Sequence, residues 1–263
     1  MKTSAQSPAR PLALVTGGAK RLGRAAALAL CAGGCDVVIT YRGSDRDAHA
    51  TVNDLLQVGG TPGICTALPL DLESIEDVEA FAKQAAAGWK RLDVLIHNAS
   101  TYLRTPLESV GYDDLISAFT VNAAAPLLLS AKLAPLLSRP TLRGGGAIVA
   151  MCDIHALGEH GLPRSSGFSA YALSKAALAE MVRTLARELA PHVRVNGVAP
   201  GVAAWPDTGY ESDEGAQEAY LKRVPLGRAG TPDECAEVVR WLALEATYTT
   251  GEIVRFDGGR NMV

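Results

Sequence analysis

A glycine-rich turn near the N-terminus restricts the possible folds of this chain more than any other segment. Residues 16–24 read Thr-Gly-Gly-Ala-Lys-Arg-Leu-Gly-Arg, after an apolar run at residues 12–15 and before the strong helix formers of residues 25–30. This order predicts a buried strand that turns sharply into a helix. Such a turn directs unpaired backbone N–H groups and the positive end of the helix dipole at one point, which favours an anion such as a pyrophosphate. Gly17 and Gly23 would let the backbone approach that ligand with no Cβ in the way.

Apolar runs and helical patterns alternate almost to the C-terminus. The alternation predicts a Rossmann-like, doubly wound parallel sheet of about seven strands, with helices on both faces and right-handed crossovers. The predicted strands are residues 12–16, 36–40, 63–68, 94–97, 147–151, 193–198 and 252–256. With 263 residues, of which 48% are hydrophobic, the chain can bury one large core. We expect a single α/β domain over residues 11–263 and a flexible polar tail over residues 1–10.

Charge and cysteine content narrow the possible partners. The formal net charge is −3, and no basic patch predicts nucleic acid or an anionic membrane surface as a partner. No stretch predicts a signal peptide or a membrane span. The near-neutral charge favours a small molecule as the partner, and the scattered cysteines favour a cytoplasmic setting. The five cysteines are scattered. Cys31 and Cys35 could form half of a metal site, but no second pair follows at ligand spacing, so we expect core thiols and no metal.

The end of the second predicted strand indicates which dinucleotide the turn would bind. Folds that use NAD usually place a carboxylate here against the ribose hydroxyls, whereas Arg42 and Ser44, with Tyr41 before them, suit a 2′-phosphate. NADPH is therefore the expected cofactor; the alternative is that Arg42 is a solvated loop charge. Asp71 and Leu72 follow the third strand, where Asp71 could accept a hydrogen bond from the adenine amino group, cap the next helix, or do both.

The fourth predicted strand ends in small and hydrogen-bonding residues. Asn98 and Ala99 leave space for a ring at the sheet edge, and Tyr102 offers a flat face close by. We interpret His97, at the strand end itself, as a structural group, since a lone histidine at such a position is more often structural than catalytic.

Tyr171 and Lys175 form the clearest candidate for chemistry. They stand four residues apart in a predicted helix, so both project from one face. A phenol has a pKa of about 10 in isolation, and a nearby ammonium should lower that pKa by favouring the phenolate. The pair is a candidate proton donor for a reduction.

Taken together, the motifs resemble the short-chain dehydrogenase/reductase family. The matching motifs are, in chain order, the glycine turn, Asn98-Ala99, Asn122 in Val-Asn-Ala, Tyr171 with Lys175, Pro200-Gly201 and Asp257-Gly258-Gly259. The resemblance covers nearly the whole chain. It implies that Asn122, Tyr171 and Lys175 belong to a catalytic tetrad, with Lys175 also holding the nicotinamide ribose. It further implies that Pro200 and Gly201 contact the cofactor, and that the protein is a homotetramer.

Two departures from the wider family resemble its pteridine reductases. Most members have a glycine where this chain has Arg21, and a catalytic serine where it has Asp153. Residues 20–24, 98–100, 105–107 and 248–251 are also similar to that subgroup.

The subgroup resemblance implies further roles. Arg21 would contact pterin and phosphate, with Leu22 beside it at the cofactor, and Ser100 would contact both cofactor and substrate. Tyr102 would sandwich the pterin against the nicotinamide, and Asp153 would be the acid next to Tyr171. Trp205 lies in a loop that closes over the substrate in related reductases, so it is a candidate for the pocket wall.

The chemistry agrees with this interpretation. Ketone reduction needs a donor for a developing alkoxide, which a serine supplies and a carboxylate would repel. Reduction of a ring C=N bond leaves a nitrogen that needs a proton, which Asp153 can relay through Tyr171, although an ionised Asp153 would raise the pKa of the tyrosine. Asp153, Tyr171 and Lys175 should titrate as a unit.

The sequence therefore predicts an NADPH-dependent pteridine reductase that acts on a pterin or dihydropterin, with folate and dihydrofolate as further candidates. One alternative is a carbonyl reductase of the same family, acting on an oxoacyl, sugar or steroid ketone. Another, of a different class, is a non-catalytic module that senses NADPH.

The spacing from Asp153 to Tyr171 is longer than the family usually shows, and the extra residues fall within 158–167. That stretch could alter specificity or be only a longer surface loop.

Overall fold

The computed structural model describes residues 10–58, 63–154, 157, 167–205 and 212–262. Its centre is a seven-stranded sheet in the order β3-β2-β1-β4-β5-β6-β7, with every neighbouring pair parallel. The strands are β1 (Leu12–Val15), β2 (Asp36–Tyr41), β3 (Cys65–Pro69), β4 (Val94–His97), β5 (Gly146–Met151), β6 (Val193–Pro200) and β7 (Ile253–Phe256). The predicted doubly wound α/β fold and all seven strands are confirmed.

Helices cover both faces of the sheet. They are α1 (Arg21–Ala32), α2 (Asp45–Val58), α3 (Ile75–Gly88), α4 (Tyr112–Phe119), α5 (Ala125–Leu137), α6 (Ser169–Glu188), α7 (Glu214–Leu221) and α8 (Pro232–Leu244). Successive residues of a strand point to opposite faces, so β1 contributes to two core clusters. Leu14 packs with the apolar side chains of α3, α5 and α6, whereas Ala13 and Val15 pack with those of α1, α2 and α8.

The strand order reverses at β1, which pairs with β2 on one side and β4 on the other. The crossover helices leave in opposite directions from this point. A crevice therefore opens outside the carboxyl ends of these strands, where ligands bind in open parallel sheets.

At the N-terminal boundary, Arg10 is tied to the domain. Its Nε lies 3.0 Å from Asp36 Oδ1, and its Nη2 donates to the carbonyl of Cys35 at 2.9 Å. The remainder of the predicted tail, residues 1–9, lies outside the described residues.

Among the described residues, one helical run is long and apolar enough to cross a membrane by length and composition alone. It spans the 26 residues Tyr112–Leu137 and is partly buried in the fold. A core helix passes the same test, and the second half of this run, α5, packs against α3, β4 and β5.

Candidate active site

A cleft of about 920 Å³ runs along the carboxyl ends of the strands at the point where their order reverses. This volume is within the range of cofactor and small-molecule sites. The cleft is lined by these predicted site residues: Gly17, Arg21, Leu22, Gly23, Tyr41, Arg42, Asp71, Leu72, Asn98, Ala99, Ser100, Tyr102, Asp153, Tyr171, Lys175, Pro200 and Gly201. Ser44, Asn122 and Trp205 are the predicted site residues that do not line it.

The glycine turn is packed too closely for side chains. Gly17 has φ +62°, and a Cβ there would lie 2.9 Å from the Cα of Ala99. A Cβ on Gly23 would lie 2.2 Å from the carbonyl oxygen of Gly17. The Asn98 side chain braces this turn, because its Nδ2 donates to the carbonyls of Thr16 and Gly17, both at 3.0 Å. Asn98 is thus a positioning residue for the turn.

The start of α1 fits a pyrophosphate. The Lys20 side chain, at the N-cap, makes no capping hydrogen bond, and the first turn contains no acidic residue. Residues 20–23 at this helix start line the cleft, so the first N–H groups and the positive end of the helix dipole are available to a phosphate group there.

Arg21 connects this turn to the opposite wall of the cleft. It has φ +52°, a left-handed conformation that is uncommon for a residue with a side chain. Its Nη2 donates to the carbonyls of Ala204 and Trp205, both at 3.0 Å. Arg21 thus lies between the start of α1, where a pyrophosphate would bind, and the loop after β6. At this place its guanidinium could contact both a cofactor and a substrate.

At the end of the cleft formed by β2 and β3, where adenosine is expected, one of the two roles considered for Asp71 is not observed. Asp71 does not cap α3: Ser74 does, since its Oγ accepts the N–H of Asp77 at 3.1 Å, and Asp71 Oδ1 instead accepts the N–H of Glu73 at 2.9 Å. Ser44 lies just before α2, and its carbonyl accepts the N–H of Ala48.

The side chains predicted to be catalytic meet in the cleft. The Tyr171 hydroxyl donates to Asp153 Oδ2 at 2.8 Å. Lys175, buried one turn further along α6, donates from Nζ to the carbonyl of Met151 at 2.7 Å. Its ammonium lies 5.8 Å from the centroid of the Tyr171 ring. The predicted trio of Asp153, Tyr171 and Lys175 is therefore assembled in one place.

The expectation that Lys175 lowers the pKa of Tyr171 is wrong for this geometry. Burial, followed by the charge of Asp153 and the hydrogen bond to it, raises the pKa of Tyr171 well above its ordinary value. The carboxylate contacts the phenol directly, whereas the ammonium is directed at a backbone carbonyl. Burial lowers the pKa of Lys175 itself. Tyr171 consequently keeps its proton at neutral pH, as a proton donor must.

Asn122 lies behind the cleft in a π-helical turn, Thr120–Ala124, between α4 and α5. Its Oδ1 accepts from Thr101 N at 2.9 Å and Ser100 Oγ at 3.0 Å. Its Nδ2 donates to Thr101 O at 3.0 Å and Ser174 Oγ at 2.9 Å. Such turns are frequent at functional sites. The fully buried side chain of Asn122 joins the loop after β4 to α6 and so positions residues that do line the cleft.

Tyr102 provides an aromatic wall next to Tyr171. The two rings meet edge to face, with centroids 4.8 Å apart. Tyr102 also stacks on Phe168, with centroids 4.7 Å apart and an interplanar angle of 16°. Phe168 is brought there by a bridge between Thr105 and the segment before α6. One face of the Tyr102 ring is thus covered, and the side chain remains 45% exposed.

Across the cleft lies an aromatic residue that the sequence motifs did not identify. Tyr220 on α7 lines the cleft, and its hydroxyl accepts the N–H of Val202 at 3.3 Å. The rings of Trp205 and Tyr220 are nearly perpendicular, with centroids 5.5 Å apart. The Arg260 guanidinium lies 5.4 Å from the centroid of the Tyr220 ring. Trp205 therefore supports this wall from behind. No local motif marks Tyr220.

His97 is structural, as expected. It is buried, its Nε2 pairs with Ser130 Oγ at 2.7 Å, and burial lowers its pKa to about 3.

Most of the predicted insertion, residues 158–166, lies outside the described residues. In the part of the chain that the structure describes, no group of three or more His, Cys, Asp or Glu side chains could hold a metal ion.

Comparison with known proteins agrees with this geometry. The family model described as enoyl-(acyl carrier protein) reductase matches residues 17–261. The chain is 32% identical to a 3-oxoacyl-[acyl-carrier-protein] reductase of Synechocystis sp., over 95% of this chain and 97% of that protein. It is 34% identical to pteridine reductase 1 of Leishmania tarentolae, over 97% of this chain and 98% of that protein.

Two similar solved structures contain the phosphorylated dinucleotide. The Pseudomonas aeruginosa RhlG/NADP active-site complex is 30% identical, has a TM-score of 0.84, and is matched over 97% of this chain and 98% of its own. A blue fluorescent protein from a metagenomic library, in complex with NADPH, is 29% identical with a TM-score of 0.83, over 95% of this chain and 97% of its own.

Proposed function

The chain belongs to the short-chain dehydrogenase/reductase family, and within that family we propose that it is an NADPH-dependent pteridine reductase. It would transfer a hydride to a C=N bond of a pterin or dihydropterin ring. The observation that carries the proposal is the 2.8 Å hydrogen bond from the Tyr171 hydroxyl to Asp153 Oδ2, inside the cleft.

The cleft suits the cofactor. The N-terminus of α1 offers N–H groups to a pyrophosphate, Lys175 lies near the catalytic tyrosine, and Arg42 borders the adenosine end. Two solved relatives of similar fold contain NADP or NADPH. When bound, the reduced nicotinamide supplies the hydride.

The chain's own residues handle the proton. Hydride addition to the carbon of C=N leaves a negative charge on the ring nitrogen, and Tyr171, which lines the cleft in its protonated form, can neutralise that charge by donating its proton. Loss of that proton leaves a phenolate beside the Asp153 carboxylate, an arrangement that like-charge repulsion disfavours. Asp153 therefore favours prompt reprotonation of Tyr171, and a proton taken up by its carboxyl can pass along the existing hydrogen bond.

The substrate wall suits a flat ring. Tyr102 lies beside Tyr171 and Tyr220 faces the same cleft, so a planar heterocycle would meet aromatic side chains. Offset stacking contributes roughly 0.5–1.5 kcal/mol beyond burial. Arg21, between the phosphate end and the loop after β6, is placed to donate to a pterin oxygen.

A carbonyl reductase is the second candidate, and the comparisons favour it by name, since the Synechocystis relative is a 3-oxoacyl reductase. The site argues against it. Ketone reduction calls for a second hydrogen-bond donor to the developing alkoxide besides Tyr171, and an ionised Asp153 cannot donate one.

A substrate panel tests the proposal. NADPH oxidation is followed at fixed NADPH with biopterin, dihydrobiopterin, dihydrofolate and an acetoacetyl thioester, using the wild-type chain and Tyr171→Phe. We expect turnover of at least one pterin, reduced by about 100-fold or more in Tyr171→Phe. Turnover of the thioester with none of the pterins would contradict the proposal, and a single-turnover assay without hydride transfer would indicate a sensor.

We also propose that the protein is a homotetramer. Tyr112, Leu115, Ile116 and Phe119 on α4 form an apolar surface, here called the α4 face, and are between 37% and 74% exposed. A second copy of the chain would cover these side chains, and closed symmetric assemblies are the usual result of such self-association.

A further inference from the structure

At the adenosine end, the cleft contains a carboxylate for which the proposed reaction has no use. Glu73 lies between β3 and α3, and its Oε2 is 3.0 Å from Arg42 Nη1. Asp71 Oδ1 lies 3.6 Å from the same nitrogen. All three side chains line the cleft. The guanidinium that would meet a 2′-phosphate is therefore already paired with an acid.

Glu73 is held in this position from its other side as well. Ser117 on α4 donates from Oγ to Glu73 Oε1 at 2.7 Å. The backbone N–H of Glu73 donates to Asp71 Oδ1 at 2.9 Å, which fixes the start of the side chain. The chain of contacts Arg42–Glu73–Ser117 thus spans the cleft from the end of β2 to α4, and the carboxylate has a second anchor if Arg42 turns away.

A 2′-phosphate and this carboxylate would compete for one guanidinium. The phosphate carries a charge of about −1.5 to −2 at neutral pH and pairs with arginine through two parallel hydrogen bonds. Once Arg42 turns to the phosphate, Glu73 remains beside it as an unneutralised like charge, and such pairs repel. A ribose with free hydroxyls brings no charge and can donate to a carboxylate, as it does in dinucleotide folds that use NAD.

We propose that Glu73 sets the cofactor selectivity of this chain by opposing the 2′-phosphate, so that NADH is accepted alongside NADPH. The inference rests on the proposed function in one respect, namely that Arg42 faces the 2′-phosphate of the cofactor. The negative charge of Glu73 would repel the 2′-phosphate, and the hydrogen bond from Ser117 holds the carboxylate in position.

Direct binding measurements test this inference without any substrate. Dissociation constants for NADPH and NADH are measured by calorimetry for the wild-type chain, Glu73→Gln and a matched control, Glu79→Gln. Glu79 pairs with Lys132 between α3 and α5 and lies outside the cleft lining, so its replacement makes the same charge change elsewhere. Glu73→Gln should tighten NADPH binding about three- to tenfold and leave NADH within about twofold, because exposed pairs are modest in energy. The effect should shrink at about 1 M salt.

Two results would overturn the inference: NADPH binding that is unchanged in Glu73→Gln, or binding that becomes weaker, which would mean that Glu73 preorganises Arg42. Either result, with NADPH binding intact in the wild-type chain, leaves the proposed function standing. A wild-type chain that binds neither dinucleotide would instead refute the proposed function, and this inference with it.

Discussion

A hydrogen bond joins Tyr171 to Asp153, and the proton chemistry proposed for the cleft depends on it. Burial and the adjacent carboxylate keep the phenol protonated, and Lys175 is turned to the Met151 carbonyl rather than to the phenol oxygen. A donor held in its protonated form is suited to a reduction that ends with a proton on nitrogen.

Replacement of Asp153 by asparagine should change the pH dependence of the reaction in one direction. The variant loses both the charge and the charged hydrogen-bond acceptor that raise the pKa of Tyr171, so that pKa should fall. Since the phenol must be protonated to donate, the decline in kcat at alkaline pH should begin at a lower pH than in the wild-type chain. Single-turnover rates measured between about pH 7 and 11 check this.

Asp113→Asn, an exposed change on α4 outside the cleft, is the matched control and should leave the alkaline decline unmoved. An unchanged decline in Asp153→Asn, or a decline at higher pH, would show that Asp153 does not control the tyrosine.

For single residues, the motifs predicted the side chains that would take part in the reaction, but not the side chains that position or neutralise neighbouring groups. Tyr171, Lys175 and Asp153 stand at recognisable positions of one segment. Glu73 and its partner Ser117 are 44 residues apart, and only the fold brings them together. The expected lowering of the Tyr171 pKa by Lys175 was wrong because spacing along a helix does not show where an ammonium is directed, whereas the expected rise from an ionised Asp153 is confirmed.

Among the elements, the connection from β1 to α1 depends most on close packing. Gly23 on α1 touches the backbone of Gly17, and the Asn98 amide lies against both. The turn, the helix start and the end of β4 are therefore packed as one unit at the phosphate end of the cleft.

Gly23→Ala should damage this unit. The added Cβ would lie 2.2 Å from the Gly17 carbonyl oxygen and 2.4 Å from Asn98 Nδ2, so the helix start must shift. We expect the free energy of unfolding to fall by about 1–3 kcal/mol and NADPH binding to weaken about tenfold or more. Chemical denaturation and calorimetry measure the two effects.

Gly88→Ala makes the same change at the end of α3, where a Cβ would meet no heavy atom within 4 Å, and it should be neutral for both quantities. Equal behaviour of the two variants would contradict the packing argument.

The elements themselves were largely predictable. Buried parallel strands read as short apolar runs, and each of the seven runs became a strand. The strand boundaries were less predictable. Strand β6 continues to Pro200 because it pairs with β7 as far as Phe256, and local sequence does not show which strand will be its partner. The cap of α3 was similarly ambiguous in the sequence, since Asp71 and Ser74 are both residue types that cap helices. In the structure Ser74 is the N-cap, because its side chain accepts the N–H of Asp77.

On the scale of the whole molecule, the proposed tetramer can be tested through the α4 face. Phe119→Glu places a charge where an apolar contact between copies is expected, so it should shift the species seen by analytical ultracentrifugation from tetramer to smaller forms. Leu56→Glu, at a residue 50% exposed on α2, is the control and should remain tetrameric. A wild-type chain that sediments as a monomer would contradict the proposal.

We propose that Asp153, in place of a hydroxyl donor, directs this cleft to a ring C=N bond. The most direct measurement is the ratio of kcat/KM for dihydrobiopterin to that for an acetoacetyl thioester, determined with NADPH for the wild-type chain and Asp153→Ser. We predict a ratio well above one for the wild-type chain and a fall of about 100-fold or more in Asp153→Ser, as pterin turnover drops and ketone turnover rises. A wild-type ratio below one, or a ratio that the substitution leaves unchanged, would contradict the account.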